Sequence, residues 1–170
     1  MTTVRPEKPS DIETIHEVEA LAFGRPNEAD LVDALRANGK ATLSLVAIDD
    51  AVGRILGHIM FSPMTAEPPA IRAIALGPVA VHPDVQNKGI GGELIRAGIA
   101  EVRRLGWDAI FLLGHADYYP RFGFQHAAGM NVTAEPGVNM AHFFFMEMWE
   151  GAVGSVPLHV KFAPEFWQHS

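Results

Sequence analysis

The chain of 170 residues contains no cysteine, which excludes disulfides, thiolate metal sites and a cysteinyl acyl-enzyme. Positive charge is scarce as well: 13 Lys and Arg against 20 Asp and Glu leave a formal net charge of -7. Sequence-independent binding to DNA or RNA rests on neutralising phosphates and is therefore disfavoured, while an acidic surface leans mildly toward cationic small molecules or peptides. No apolar run approaches the roughly 20 residues needed to cross a bilayer. Met1 to Ser10 lacks the basic and apolar regions of a signal peptide. The expectation is a cytoplasmic protein that engages neither nucleic acid nor membrane. The eight histidines are scattered without H-E-x-x-H or comparable spacing, so no metal site is expected.

What remains is a globular composition, 48% hydrophobic and 19% charged, of a size that suits one domain over residues 1–170. Thr2 to Arg5 reads as a strand. Ser10-Asp11-Ile12-Glu13 reads as a capping box opening a helix on which Ile12, Ile15, Glu19, Ala22 and Phe23 share one face. Only Glu19 interrupts that face, and His16 and Glu19 are expected to be solvated. Gly24 and Pro26 end the helix, Asn27 N-caps a second, and Asn38-Gly39 stops it. Thr42 to Ile48 and Arg54 to Phe61 form a hairpin, and Pro63 to Pro69 a polar connection. Ile71 to Val81 resumes strand character around Gly77-Pro78, where proline cannot donate to a ladder and a bulge or splay is expected.

Gly91 to Leu105 carries a helical apolar stripe, Ile95, Ile99, Val102 and Leu105, closed by Gly106. Ala109 to Leu113 is an apolar run typical of a strand covered on both faces, and Tyr118 to Phe122 allows only a short helix. Asn131 to Ala134, Ala141 to Trp149 and Val156 to Phe162 read as closing strands, with Phe143 to Met146 assigned to the core.

One junction carries chemistry. In Val79-Ala80-Val81-His82-Pro83-Asp84-Val85-Gln86-Asn87-Lys88-Gly89-Ile90-Gly91-Gly92 a strand feeds a glycine-rich turn that opens into a helix. Such a turn offers backbone N–H groups and the positive end of a helix dipole to an anion, and a pyrophosphate fits there. Gly89, Gly91 and Gly92 allow close approach, while Gln86 and Lys88 add a neutral donor and a charge. The Walker order of glycine, lysine and hydroxyl is missing, and Leu94 stands where the Rossmann fingerprint needs its third glycine.

The pattern present is Q/R-x-x-G-x-G/A. With Leu76 to Pro83 before it and Tyr118-Tyr119-Pro120-Arg121-Phe122-Gly123-Phe124 after the helix, the chain resembles the GNAT superfamily of acyl-CoA N-acyltransferases, and within it the bacterial YhbS-like subgroup. Residues 76–126 carry the resemblance; residues 2–61 agree in element order. The resemblance implies an α+β fold whose central, mostly antiparallel mixed sheet splays near Gly77-Pro78, with helices on both faces. It implies acetyl-CoA as acyl donor, bound by Val79, Ala80 and Val81 and by Gln86, Asn87, Lys88, Gly89, Ile90, Gly91 and Gly92. The N–H groups of Val79 and Val81 would polarise the thioester carbonyl, and Tyr119 would protonate the departing thiolate, with Tyr118 as the competing tyrosine.

The acceptor is a primary amine of a small molecule or protein, protonated near neutrality, so a base or water relay must take a proton. His82, His115, Asp117, His142 and Glu147 lie near strand ends and are the candidates; none is singled out. The family's asparagine is missing near Gly114-His115. An acyl-CoA-binding sensor with little turnover is the alternative, and oligomeric state, a homodimer included, is left open.

Overall fold

The structure is a computed structural model describing residues 1–170. The chain packs as two compact units, one of residues 1–62, 77–101 and 164–170, the other of residues 63–76 and 102–163.

In the first unit, β1 (Thr2–Pro6), β2 (Leu43–Asp49) and β3 (Ile55–Pro63) form successive antiparallel pairs. The helices α1 (Ile12–Phe23) and α2 (Asn27–Ala37) lie between the first two strands in the chain. The start of α1 differs from expectation. Ser10 does not cap it; Asp11 accepts from the Lys8 N–H at 2.7 Å and from Arg5, which closes a 3-10 turn over Pro9–Asp11. Pro26 takes the N-cap position of α2, and Asn27 is already helical. The buried side of α1 is Ile15, Val18 and Glu19, and Phe23 is exposed. Glu19 is therefore not solvated, which corrects the reading of that face.

Successive residues of a strand point to opposite sides, and β3 uses both. His58 meets Glu19 of α1. A Cβ on Gly57 would lie 3.0 Å from Leu94 of α3 (Ile90–Arg104), which packs Ile90, Leu94, Ile95 and Ile99 inward. A Cβ on Gly98 of α3 would overlap the ring of Phe61, so two missing side chains set the helix close against the strand. Helices thus cover both faces of this sheet. The terminal helix α4 (Glu165–Gln168) is tied down where Glu165, 2% exposed, accepts from Asn38 at 2.8 Å and Lys40 at 2.7 Å.

The second unit holds the first part of β5 (Ala73–Val81), paired parallel to β6 (Ala109–Leu113). Strand β9 (Phe143–Glu147) runs antiparallel to β6 and to the short β7 (Gln125–His126). Phe111 and Phe143 stack with centroids 5.5 Å apart, and Phe143 to Met146 are buried as expected. A separate three-stranded sheet joins β4 (Thr65–Glu67), β10 (Leu158–Lys161) and β8 (Val132–Ala134), with β10 and β8 parallel. Strand β4 lies inside the expected Pro63 to Pro69 connection. It is too short and too exposed to show a period. The pairings make an α+β fold with a mixed, mostly antiparallel sheet, and no helix is long and apolar enough to cross a membrane.

Candidate functional site

The site grows from the middle of β5. Its parallel ladder with β6 pairs Ala73, Ile74 and Ala75 with Ala109, Ile110 and Phe111 and then stops, although β5 continues to Val81 and β6 to Leu113. The break falls at Gly77-Pro78, a cis peptide with Gly77 at φ +139, where a splay was expected. Beyond it lie Val79, Ala80 and Val81, with Ala80 buried and both valines half-buried. The His82 N–H donates to the Leu56 carbonyl at 2.7 Å, which ties the end of β5 to β3.

After His82 the chain turns through a 3-10 segment, Pro83–Val85, capped where His82 Nδ1 accepts from the Asp84 N–H at 3.2 Å. Arg54 braces this turn, its guanidinium lying 3.0 Å from His82 Nε2 and donating to Asp84 at 3.1 Å. The Gln86 side chain folds back and donates to the Val81 carbonyl at 3.0 Å. Its amide closes the loop on itself, a role beyond the free donor expected from the sequence.

Asn87 and Gly89 then adopt left-handed conformations at φ +64 and φ +84, which glycine takes without strain and asparagine tolerates. These two residues reverse the chain so that Ile90 can begin α3. Glu93 N donates to the Gly89 carbonyl at 3.1 Å, closing the first helical turn. The N–H groups of Ile90, Gly91 and Gly92 therefore belong to the helix end that has no intrahelical acceptors. Ile90 anchors the turn in the core, while Gln86, Asn87, Lys88 and Gly89 are exposed. Free main-chain donors at a helix N-terminus suit an anion such as pyrophosphate.

Tyr119 lies in the second unit, opening a 3-10 turn that ends at Phe122 with Gly123 at φ +99. Its ring sits edge-on to Phe124 at 5.9 Å and to Tyr118 at 5.1 Å. Gly114 is part of this seat, because a Cβ there would overlap the Tyr119 ring. Sequence reading had no signal for that role beyond a glycine following a strand. Burial, with a smaller contribution from Tyr118, pushes the Tyr119 phenol up to about 12. Such a group stays protonated at any working pH and acts as a hydrogen-bond donor far more readily than it ionises. Tyr118 is instead covered by the Arg121 guanidinium, 4.6 Å from its ring centre.

The proposed bases are dispersed. His115 and Asp117 line an open concavity of about 430 Å³ with Tyr118 and Arg121. His82 is engaged by Arg54. Glu147 spends one oxygen on the Val153 N–H at 2.7 Å. His142 is exposed at the entry to β9.

Sequence reading missed a buried cluster in the first unit. Ser44 Oγ lies 2.7 Å from His58 Nε2, and His58 Nδ1 lies 2.7 Å from Glu19 Oε2. Ser44 also donates to Glu7, which is paired with Arg36 at 2.8 Å. His16 pairs with Asp33 at 2.7 Å on the neighbouring surface. The one available signal was Glu19 itself, the single charge on an otherwise apolar helix face.

The Acetyltransferase (GNAT) family matches residues 12–124, which includes the β5 break, the loop, α3 and the Tyr119 turn. The chain is 31% identical to the N-acetyltransferase YhbS of Escherichia coli (strain K12), named as uncharacterized, over 94% of this chain and 97% of that protein. It is 43% identical to YjhQ of the same organism, likewise named an uncharacterized N-acetyltransferase, over 71% of this chain and 67% of that one. Among solved structures, YhbS from Escherichia coli in complex with CoA superposes with a TM-score of 0.93 at 28% identity, covering 99% of this chain and 93% of that one. A GNAT family acetyltransferase from Brucella melitensis in complex with acetyl-CoA gives 0.80 at 36% identity, covering 98% of each chain. With the family's extent, a relative aligned almost end to end and the glycine turn all in agreement, the chain belongs to the GNAT acetyltransferase family.

Proposed function

We propose that residues 1–170 act as one N-acetyltransferase domain that moves an acetyl group from acetyl-CoA to a primary amine by direct attack on the thioester, in the cytoplasm. The observation that carries this reading is the pairing of a strand released from its ladder after Ala75 with a left-handed turn at Asn87 and Gly89 that opens α3. On this reading the pantetheine arm takes up the backbone of Val79 to Val81, and the diphosphate lies against the N–H groups of residues 86–92, with Lys88 adding charge.

The nitrogen attacks the carbonyl carbon, the C–N bond forms and the C–S bond breaks. N–H donors aimed at the carbonyl oxygen stabilise the oxyanion, a contribution often near 3 kcal/mol. Tyr119 donates a hydrogen bond to the departing sulfur, and its protonated state suits that task. The acceptor is a small-molecule amine or a protein amino group, which an overall charge of -7 favours when the acceptor is cationic.

The test is a thermal-shift comparison of CoA, acetyl-CoA and NAD, followed by CoA release with lysyl peptide, polyamine, amino acid and aminoglycoside acceptors. Stabilisation by CoA and acetyl-CoA alone, with turnover of at least one amine, is the expected result. Affinity without turnover on any amine would turn the assignment to an acyl-CoA sensor, and no response to CoA would remove it.

A further inference from the structure

The buried cluster of the first unit has a determined hydrogen-bond direction. Burial acts to raise the Glu7 pKa, but the hydrogen bonds from Arg36 and Ser44 outweigh it and leave the carboxyl below its ordinary range. Glu7 is thus a carboxylate at neutral pH and can only accept. The single Ser44 hydroxyl proton must point to Glu7, so Ser44 Oγ can only accept from His58. His58 Nε2 therefore carries a proton. Between His58 Nδ1 and Glu19 Oε2, 2.7 Å apart and both fully buried, one further proton is shared. Burial raises the Glu19 pKa, in keeping with a proton held there.

Glu19 Oε1 completes the arrangement: it is buried and no protein group satisfies it. The four groups form an unbroken path from that oxygen to Glu7, whose side chain is 18% exposed. The strand that carries His58 borders the donor segment, since β3 and β5 are neighbours in the sheet and the His82 N–H donates to the Leu56 carbonyl at 2.7 Å. Nothing in packing alone requires a serine, a histidine and two carboxyls in line here. An apolar set of similar volume is often as stable or more so.

We propose that Glu19, His58, Ser44 and Glu7 form a proton relay that carries the extra proton of an ammonium acceptor out of the transferase site to solvent. The inference rests on the transferase reading above. Acetylation of an ammonium group releases one net proton, whereas acetylation of a neutral nucleophile releases none, since its proton ends on the CoA thiol. In the relay one proton binds Glu19 Oε1, the shared proton settles on His58 Nδ1, the Nε2 proton passes to Ser44 Oγ, and the Ser44 proton passes to Glu7. No charge stays in the core, and Glu7 beside Arg36 releases its proton at once. The charged or titratable groups facing the path are Arg36, with Asp33 behind it, and Glu28, all on α2.

The experiment compares a lysyl peptide, which arrives as an ammonium, with hydroxylamine, which arrives uncharged at neutral pH. Ser44→Ala should lower kcat roughly tenfold or more with the peptide, leave kcat with hydroxylamine and the affinity for CoA unchanged, and recover in Ser44→Thr. Equal slowing of both nucleophiles, or of neither, would overturn the relay. Nitrogen-15 NMR of the histidine side chains reads the same point without turnover: a proton on His58 Nε2 is required, and a bare Nε2 would overturn the relay even where Ser44→Ala fails to fold. Failure of the wild type to bind CoA would instead remove the transferase reading itself.

Discussion

The glycine turn at residues 86–92 and the cluster around His58 lie in the same compact unit and solve opposite problems. Gln86 to Gly89 are exposed, and the chemistry proposed for the turn rests on main-chain N–H groups and the sign of φ at Asn87 and Gly89. The cluster is buried at Glu19 and His58, both at 0% exposure, and opens to solvent at Glu7; its chemistry comes entirely from side chains. A main-chain site should tolerate changed side chains and fail on added bulk. A side-chain site should fail whenever one partner is removed.

The largest effect should therefore come from Gly89→Val. A β-branched residue at φ +84 is strained by roughly 1–3 kcal/mol, and the turn that presents the amides is lost with it. CoA affinity measured by calorimetry should fall beyond detection while the fold, followed by circular dichroism, persists. Next is Tyr119→Phe, expected to lower kcat roughly a hundredfold with CoA affinity unchanged in the same titration. Unchanged catalysis would remove its acid role.

His58→Leu attacks the other side of the comparison. It strands Glu19 without a partner, and urea unfolding should show a loss of roughly 1–3 kcal/mol. Replacing Glu19 and His58 together by leucine should restore most of that stability, because no buried polar group is left unpaired. A double variant as unstable as the single one would show that shape, not pairing, governs this site.

Acid should act through three carboxyls. Asp11 is lowered by its hydrogen bond from Arg5, and Glu7 and Glu165 are lowered, against the opposing effect of burial, by Arg36 and by Lys40 with Asn38. Their folded values lie below the unfolded ones, so their stabilisation is present above roughly pH 4 and disappears as pH falls through the depressed values. The melting temperature should drop below about pH 4 and lose that drop in part in Lys40→Met, which removes the partner of Glu165. Smallest of all, Lys88→Ala should weaken CoA roughly two- to fivefold, because backbone donors supply most of the cradle.

Legibility followed locality. The strand–turn–helix junction was readable since the bonds that close its turn are local, Gln86 reaching back to Val81 and Glu93 to Gly89, whereas the brace from Arg54 some 30 residues away was not. The Tyr119 turn was readable for the same reason, whereas its seat on Gly114 was not, because nothing in a lone glycine tells which ring will lie over it. Strand β4 and the two-residue β7 escaped notice as well, being shorter than any period that marks a strand.

The sequence by itself determined the fold family, the break at Gly77-Pro78 and the glycine turn that opens α3, since these follow from backbone freedom at particular positions. The tertiary structure alone decided that Glu19 is a core residue. Its partner His58 stands 39 residues away, and only the packing of α1 on β3 removes the water that would otherwise have solvated both. Burial is a property of the assembled layers, and a charge on a helix face reads the same in sequence whether solvent or a histidine awaits it.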